Sequence, residues 1–175
     1  MMPQPNGQQP IYILKDGAKQ LSMKEAQRSN IQAAKAVSEA VRSTLGPEGA
    51  DKMLVDGSGQ VVITNDGATI LREIAADHPG AKLVIEVAET QEMECRDGTT
   101  SAVIIAGSLL EKAEDLLEQQ IHQTVICRGY RKASDLVKLS LKDIGWDATE
   151  KDLITVAKTS LTGKSAESAI DVLSV

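Results

Sequence analysis

Apolar residues along this chain fall into short periodic runs separated by glycine and proline. After a short β-prone run, Ile11–Leu14, turned by Lys15-Asp16-Gly17, a long helix is predicted from about Ser22 to Thr44. Its apolar positions Ile31, Ala34, Val37, Val41 and Leu45 step by 3 or 4 and so share one helical face. Gly46-Pro47 stops it. Two β-rich runs, Lys52–Asp56 and Gln60–Thr64, flank Gly57-Ser58-Gly59 and predict a hairpin. A short helix carrying Ile70, Leu71 and Ile74 follows Asn65-Asp66-Gly67. His78-Pro79-Gly80 breaks the chain, and a helix through Leu83, Val84, Val87 and Ala88 is expected to end near Cys95. The strongest pattern comes next: Ala102, Ala106, Leu109, Ala113 and Leu116 step by 4, 3, 4 and 3, while Val103, Leu110 and Leu117 step by 7. Another helix is expected from His122 to about Leu141, then a connector through Thr149 and a short helical turn from Asp152 to Ala157. Thr159–Val175 thins into small and polar residues. The class is mostly α with one small hairpin, without internal repeats.

Composition narrows the functions. Among 175 residues, 19 Lys+Arg against 25 Asp+Glu give a net charge of −6, and the aromatics are only Tyr12, Tyr130 and Trp146. An acidic chain without a basic stripe or stacking rings does not read as a nucleic-acid binder. Cys95 and Cys127 stand apart and suit a reducing compartment, and no zinc-type ligand spacing occurs. Residues 1–10 read as a flexible tail rather than a signal peptide, and no apolar run is long enough to span a membrane. These features point to a cytoplasmic protein without a membrane partner.

Four segments carry candidate chemistry. Asp97-Gly98-Thr99-Thr100-Ser101 opens a helix, where unpaired N–H groups and the dipole favour an anion, and Asp97 is a hard oxygen ligand suited to Mg²⁺ beside phosphates. By local pattern alone, Asp97 or Thr99 reads first as an ordinary cap. Thr44-Leu45-Gly46-Pro47 alone is a helix stop, Asp66 alone an N-cap, and Lys158 with Thr159 and Ser160 a solvated cation beside two hydroxyls. His78 and His122 lie at helix boundaries as surface or capping residues.

In this order, Glu25–Asn30, Thr44–Pro47, Asp51–Asp56, Thr64–Leu71, Asp97–Ser101, Arg128-Gly129-Tyr130 and Lys158–Ser160 resemble group II chaperonins, the archaeal thermosome and eukaryotic cytosolic chaperonin family, the archaeal branch more closely. The resemblance implies an ATP-driven ring-shaped folding machine. Residues 1–10 would be its tail, 11–144 the first half of a helical equatorial ATP-binding domain, and 145–175 the start of an intermediate domain. It implies ATP or ADP as ligand with Mg²⁺ on Asp97. Leu45, Gly46 and Pro47 would touch the nucleotide, and Gly98, Thr99, Thr100 and Ser101 its phosphates. Asp66 would help polarise the attacking water as the catalytic residue. Lys158, Thr159 and Ser160 would lie on a nucleotide-sensing loop. The hairpin at 53–64 would contact other chaperonin subunits, and unfolded clients would bind only through an apical domain outside these residues.

Two departures qualify this. The family turn reads Gly-Asp-Gly-Thr-Thr, and Arg96 takes the place of its first glycine; at positive φ this costs about 1 kcal/mol, and the cation either blocks phosphate or adds a contact to it. The chain also matches only the first third of a family chain, without the second catalytic Asp. It is therefore expected to hydrolyse little or no ATP alone, and its stripes on Ile31/Val37/Val41 and Val103/Leu110/Leu117 are expected to lack partners. The alternatives are a non-hydrolysing module docking on full-length chaperonin subunits, or a helical adaptor that Arg96 has deprived of nucleotide.

Overall fold

The structure, a computed structural model, describes residues 21–74 and 76–162. The expected tail at 1–10 and the strand at 11–14 lie outside the described residues, as does the end of the chain from 163. The elements are helix α1 (Met23–Arg42), strands β1 (Lys52–Val55) and β2 (Val61–Thr64), and helices α2 (Gly67–Glu73), α3 (Pro79–Cys95), α4 (Thr99–Glu118), α5 (Gln123–Ile144) and α6 (Glu150–Leu161). The mostly helical class with one hairpin is what the hydrophobic pattern predicts.

Local chemistry sets these boundaries. Ser22 and Glu25 close a capping box on α1, each side chain bonding the other's backbone N–H. Pro79 begins α3 instead of breaking the chain before it, because a first-turn residue needs no N–H donor. His78 caps that helix by accepting from the Gly80 N–H, and His122 caps α5 in the same way from Thr124. The hairpin pairs Met53 with Ile63 and Leu54 with Val62. Leu54 packs against the core, whereas Met53, Val55, Val61 and Ile63 form an exposed apolar ladder on the other face.

The core lies between α1, α3 and α4, with α2 closing one end. Ala34, Val37 and Val41 of α1 meet Val103 and Ile104 of α4, Val84 and Ala88 of α3, and Ile70 and Leu71 of α2. The stripes on α1 and α4 therefore cover each other, contrary to the expectation that both would stand open. Gly107 makes that approach possible: a methyl group there would overlap the Ser38 side chain. Lys35 bridges the same helices through Glu114 at 3.2 Å and Glu111 at 3.8 Å, a half-exposed ion pair that adds little to burial. Beside the hairpin ladder, uncovered apolar surface lies on α5, where only Ile126 is buried.

Candidate functional site

Four separate segments line one cavity of about 600 Å³ at the end of the helical core. The first is the loop after α1. The Thr44 hydroxyl, buried, donates to the Val41 carbonyl at 2.8 Å, and the Ala50 N–H closes the loop on the Ser43 carbonyl at 2.9 Å. Gly46 turns at φ 93°, a conformation that a side chain disfavours, and with Leu45 and Pro47 it forms one wall.

The second segment leads from the hairpin into α2. The Asp66 carboxylate accepts from the Thr69 N–H at 2.9 Å and from the Thr69 hydroxyl at 2.6 Å, so it caps α2 while facing the cavity. Gly67 has ordinary helical geometry, but a methyl there would come within 3.2 Å of the Thr100 backbone and overlap its hydroxyl. Its bare backbone lets the Asp66 turn sit against the start of α4.

The third segment is the turn between α3 and α4. Arg96 and Gly98 both take left-handed conformations, at φ 57° and 75°, and reverse the chain within three residues. Gln91 reaches back from α3 and donates to the Asp97 carbonyl at 2.8 Å. The N-cap residue of α4 is Gly98, which has no side chain to cap with, and the first helical bond runs from the Ala102 N–H to the Gly98 carbonyl. The amides of Thr99, Thr100 and Ser101, without a carbonyl one turn back, form the positive end of the helix beside three hydroxyls. Gly98, rather than Asp97 or Thr99, holds the N-cap position that local pattern assigns to one of those two.

The fourth segment differs from expectation. A Thr149/Asp152 capping box starts α6 at Glu150, and the Thr155 and Thr159 hydroxyls bond back to carbonyls four residues earlier, so the helix continues to Leu161. Lys158, Thr159 and Ser160 therefore belong to a helix rather than a loop. Thr159 and Ser160 line the cavity, together with Thr162; Lys158 is not among the lining residues.

Every other residue expected at the site does line it. Also present are Arg96, which the sequence already sets in the phosphate turn, and Glu92, which chain order left unassigned because only the reversal after α3 turns the last turn of that helix toward the cavity. The lining residues thus include the acidic Asp66, Glu92 and Asp97 and the basic Arg96. Among the described residues no cluster of three or more His, Cys, Asp or Glu could hold a metal by itself. That donor set fits Mg²⁺, which keeps several waters and is held by one or two carboxylates plus a ligand's phosphates, better than it fits an all-protein metal centre.

Residues 37–175 match the TCP-1/cpn60 chaperonin family. The chain is 54% identical over 168 residues to thermosome subunit beta of Methanothermobacter thermautotrophicus, covering 95% of this chain and 31% of that one. It is 55% identical to thermosome subunit 1 of Haloferax volcanii, over 95% of this chain and 30% of the relative, and 54% identical to thermosome subunit alpha of Archaeoglobus fulgidus, over 94% and 31%. The chain spans about three tenths of the length of these relatives.

Proposed function

The chain belongs to the TCP-1/cpn60 chaperonin family, and on that premise we propose that it supplies the nucleotide-handling part of an ATP-dependent protein-folding chaperone of the thermosome kind. The observation that carries this reading is the convergence of the post-α1 loop, the Asp66 turn, the α4 N-terminus and the end of α6 on one cavity. Residues 11–144 would form the ATP-binding unit and 145–175 the start of a second, intermediate unit. Gly145, which ends α5 in extended geometry, supports a boundary there.

Gly98, Thr99, Thr100 and Ser101 would take the phosphates on backbone amides and hydroxyls, with Leu45, Gly46 and Pro47 against the nucleotide. Asp97 would hold Mg²⁺, which when bound neutralises phosphate charge. Asp66 would orient water near the terminal phosphate, since phosphoryl transfer depends on positioning and electrostatics more than on covalent chemistry. Thr159 and Ser160, with Lys158 adjoining, would report on the occupied site. The open hairpin, with its ladder of Met53, Val55, Val61 and Ile63, suits pairing with another chaperonin subunit. No part of these 175 residues is proposed to engage unfolded clients. A cytoplasmic setting agrees with the sequence; no helix among the described residues is long and apolar enough to cross a membrane.

Calorimetric titration of the chain with ATP, with and without Mg²⁺, tests this reading. Mg²⁺-dependent binding that weakens at least about tenfold in Asp97→Ala is expected, with little or no phosphate release. Absence of binding at millimolar ATP would overturn it. Robust phosphate release, lost in Asp66→Asn, would instead show that this chain hydrolyses ATP alone.

A further inference from the structure

Arg96 holds the left-handed conformation that closes α3, with φ 57° and its N–H bonded to the Glu92 carbonyl at 3.1 Å. Glycine is the residue that such a helix end favours, because a Cβ crowds the following carbonyl. Among the described residues only Gln120 shares positive φ without being glycine, and Gln120 does not line this cavity. Strain held at a cavity wall calls for an explanation in what the side chain does there.

The lining charges supply one. Asp66, Glu92 and Asp97 converge on the cavity, and a polyphosphate entering it adds further negative charge. Arg96 is exposed and is itself among the lining residues, three positions before Thr99 opens α4. It has no ion pair with a carboxylate of the described residues. A guanidinium presents donors in a fork that matches phosphate oxygens.

We propose that Arg96 is a phosphate-contact residue that adds a cation to the nucleotide site, at the expense of local backbone strain. This rests on the nucleotide reading of the cavity. It assigns to Arg96 the triphosphate or diphosphate tail, and no role toward the adenosine.

Three variants of the full chain separate charge from strain. Arg96→Gln keeps the strained backbone and removes the charge; Arg96→Lys keeps the charge without the fork; Arg96→Gly removes charge and strain together. Calorimetric titration with Mg-ATP, ADP and adenosine, paired with thermal unfolding, reads both effects. Arg96→Gln is expected to weaken ATP and ADP by about tenfold or more while adenosine binds as before, with Arg96→Lys in between. Arg96→Gly is expected to weaken ATP similarly yet raise Tm by about 2–4 °C. ATP binding unchanged or tightened in Arg96→Gln and Arg96→Gly, beside a wild type that binds Mg-ATP, would overturn the role of Arg96 alone. A wild type that binds no nucleotide would remove the reading of the site itself, and this proposal with it.

Discussion

Two glycines show how single residues set the distance between elements. Gly67 is needed for closeness rather than for φ, since a methyl there would press on the Thr100 backbone. Two effects then compete in Gly67→Ala. Helix propensity favours alanine by about 1 kcal/mol. Overpacking against a backbone that cannot rotate away costs about 1–3 kcal/mol. The second should win, so Gly67→Ala is expected to lower Tm by a few degrees in a thermal melt; a higher Tm would mean that the α2–α4 contact yields easily. Gly107 is the counterpart within the core, facing a Ser38 hydroxyl that is buried with no hydrogen-bond partner. Neither contact was legible in the sequence. A glycine inside a helical run carries no local mark of the side chain it must admit, whereas Gly46 and Gly98, at real chain reversals, stand beside other turn residues and could be singled out.

At the scale of elements, periodicity and capping residues made most helices readable. The errors arose where a residue has two uses. Proline reads as a break but also begins helices, which hid the first turn of α3. Threonine-rich sequence reads as loop, yet in α6 the hydroxyls bond back onto the helix and the capping box holds its start. That box makes α6 sensitive to acid. The Asp152 carboxyl is held below its ordinary value of 3.8, first by the Thr149 hydroxyl and then by the Thr149 N–H. Glu25 at the start of α1 is lowered from 4.5 by the same two groups of Ser22. A lowered carboxyl contributes stability that is present above its unfolded pKa and lost as pH falls through the folded one. Both boxes should therefore weaken below about pH 4. Because α6 buries no residue while α1 lies in the core, α6 is expected to open first. The protection of amides 153–161 against exchange, taken relative to the intrinsic rate at each pH from 6 to 3, should fall before that of 31–41; simultaneous loss of protection would show that α6 melts only with the whole fold. Early opening would also carry Thr159 and Ser160 away from the cavity.

Across the whole molecule, the balance of covered and uncovered apolar faces decides how the chain behaves in solution. One stripe of α5 runs through Ile126, Tyr130, Ala133, Val137, Leu141 and Ile144 at helical spacing. Its first part lies on α4: Ile126 is buried, and the Tyr130 hydroxyl donates to the Leu109 carbonyl at 2.6 Å. Beyond that point no residue of α5 is buried, and Val137, Leu141 and Ile144 are 56, 58 and 68% exposed. Trp146, just past Gly145, is 80% exposed as well. A contiguous apolar surface of this kind promotes association through burial of about 25 cal/mol per Å². The chain is therefore expected to self-associate with rising concentration in light scattering coupled to size exclusion. The double variant Val137→Lys, Leu141→Lys should stay dispersed at concentrations where the parent associates. Its Tm at low concentration should match the parent's, since neither side chain is buried within the chain. Ile126→Ala is the contrasting control: it truncates a buried side chain and should lower Tm by several degrees through a loss of about 2–4 kcal/mol. If the lysine variant associates like the parent, the exposed hairpin ladder becomes the driving surface, and Met53→Lys with Ile63→Lys should then disperse the chain.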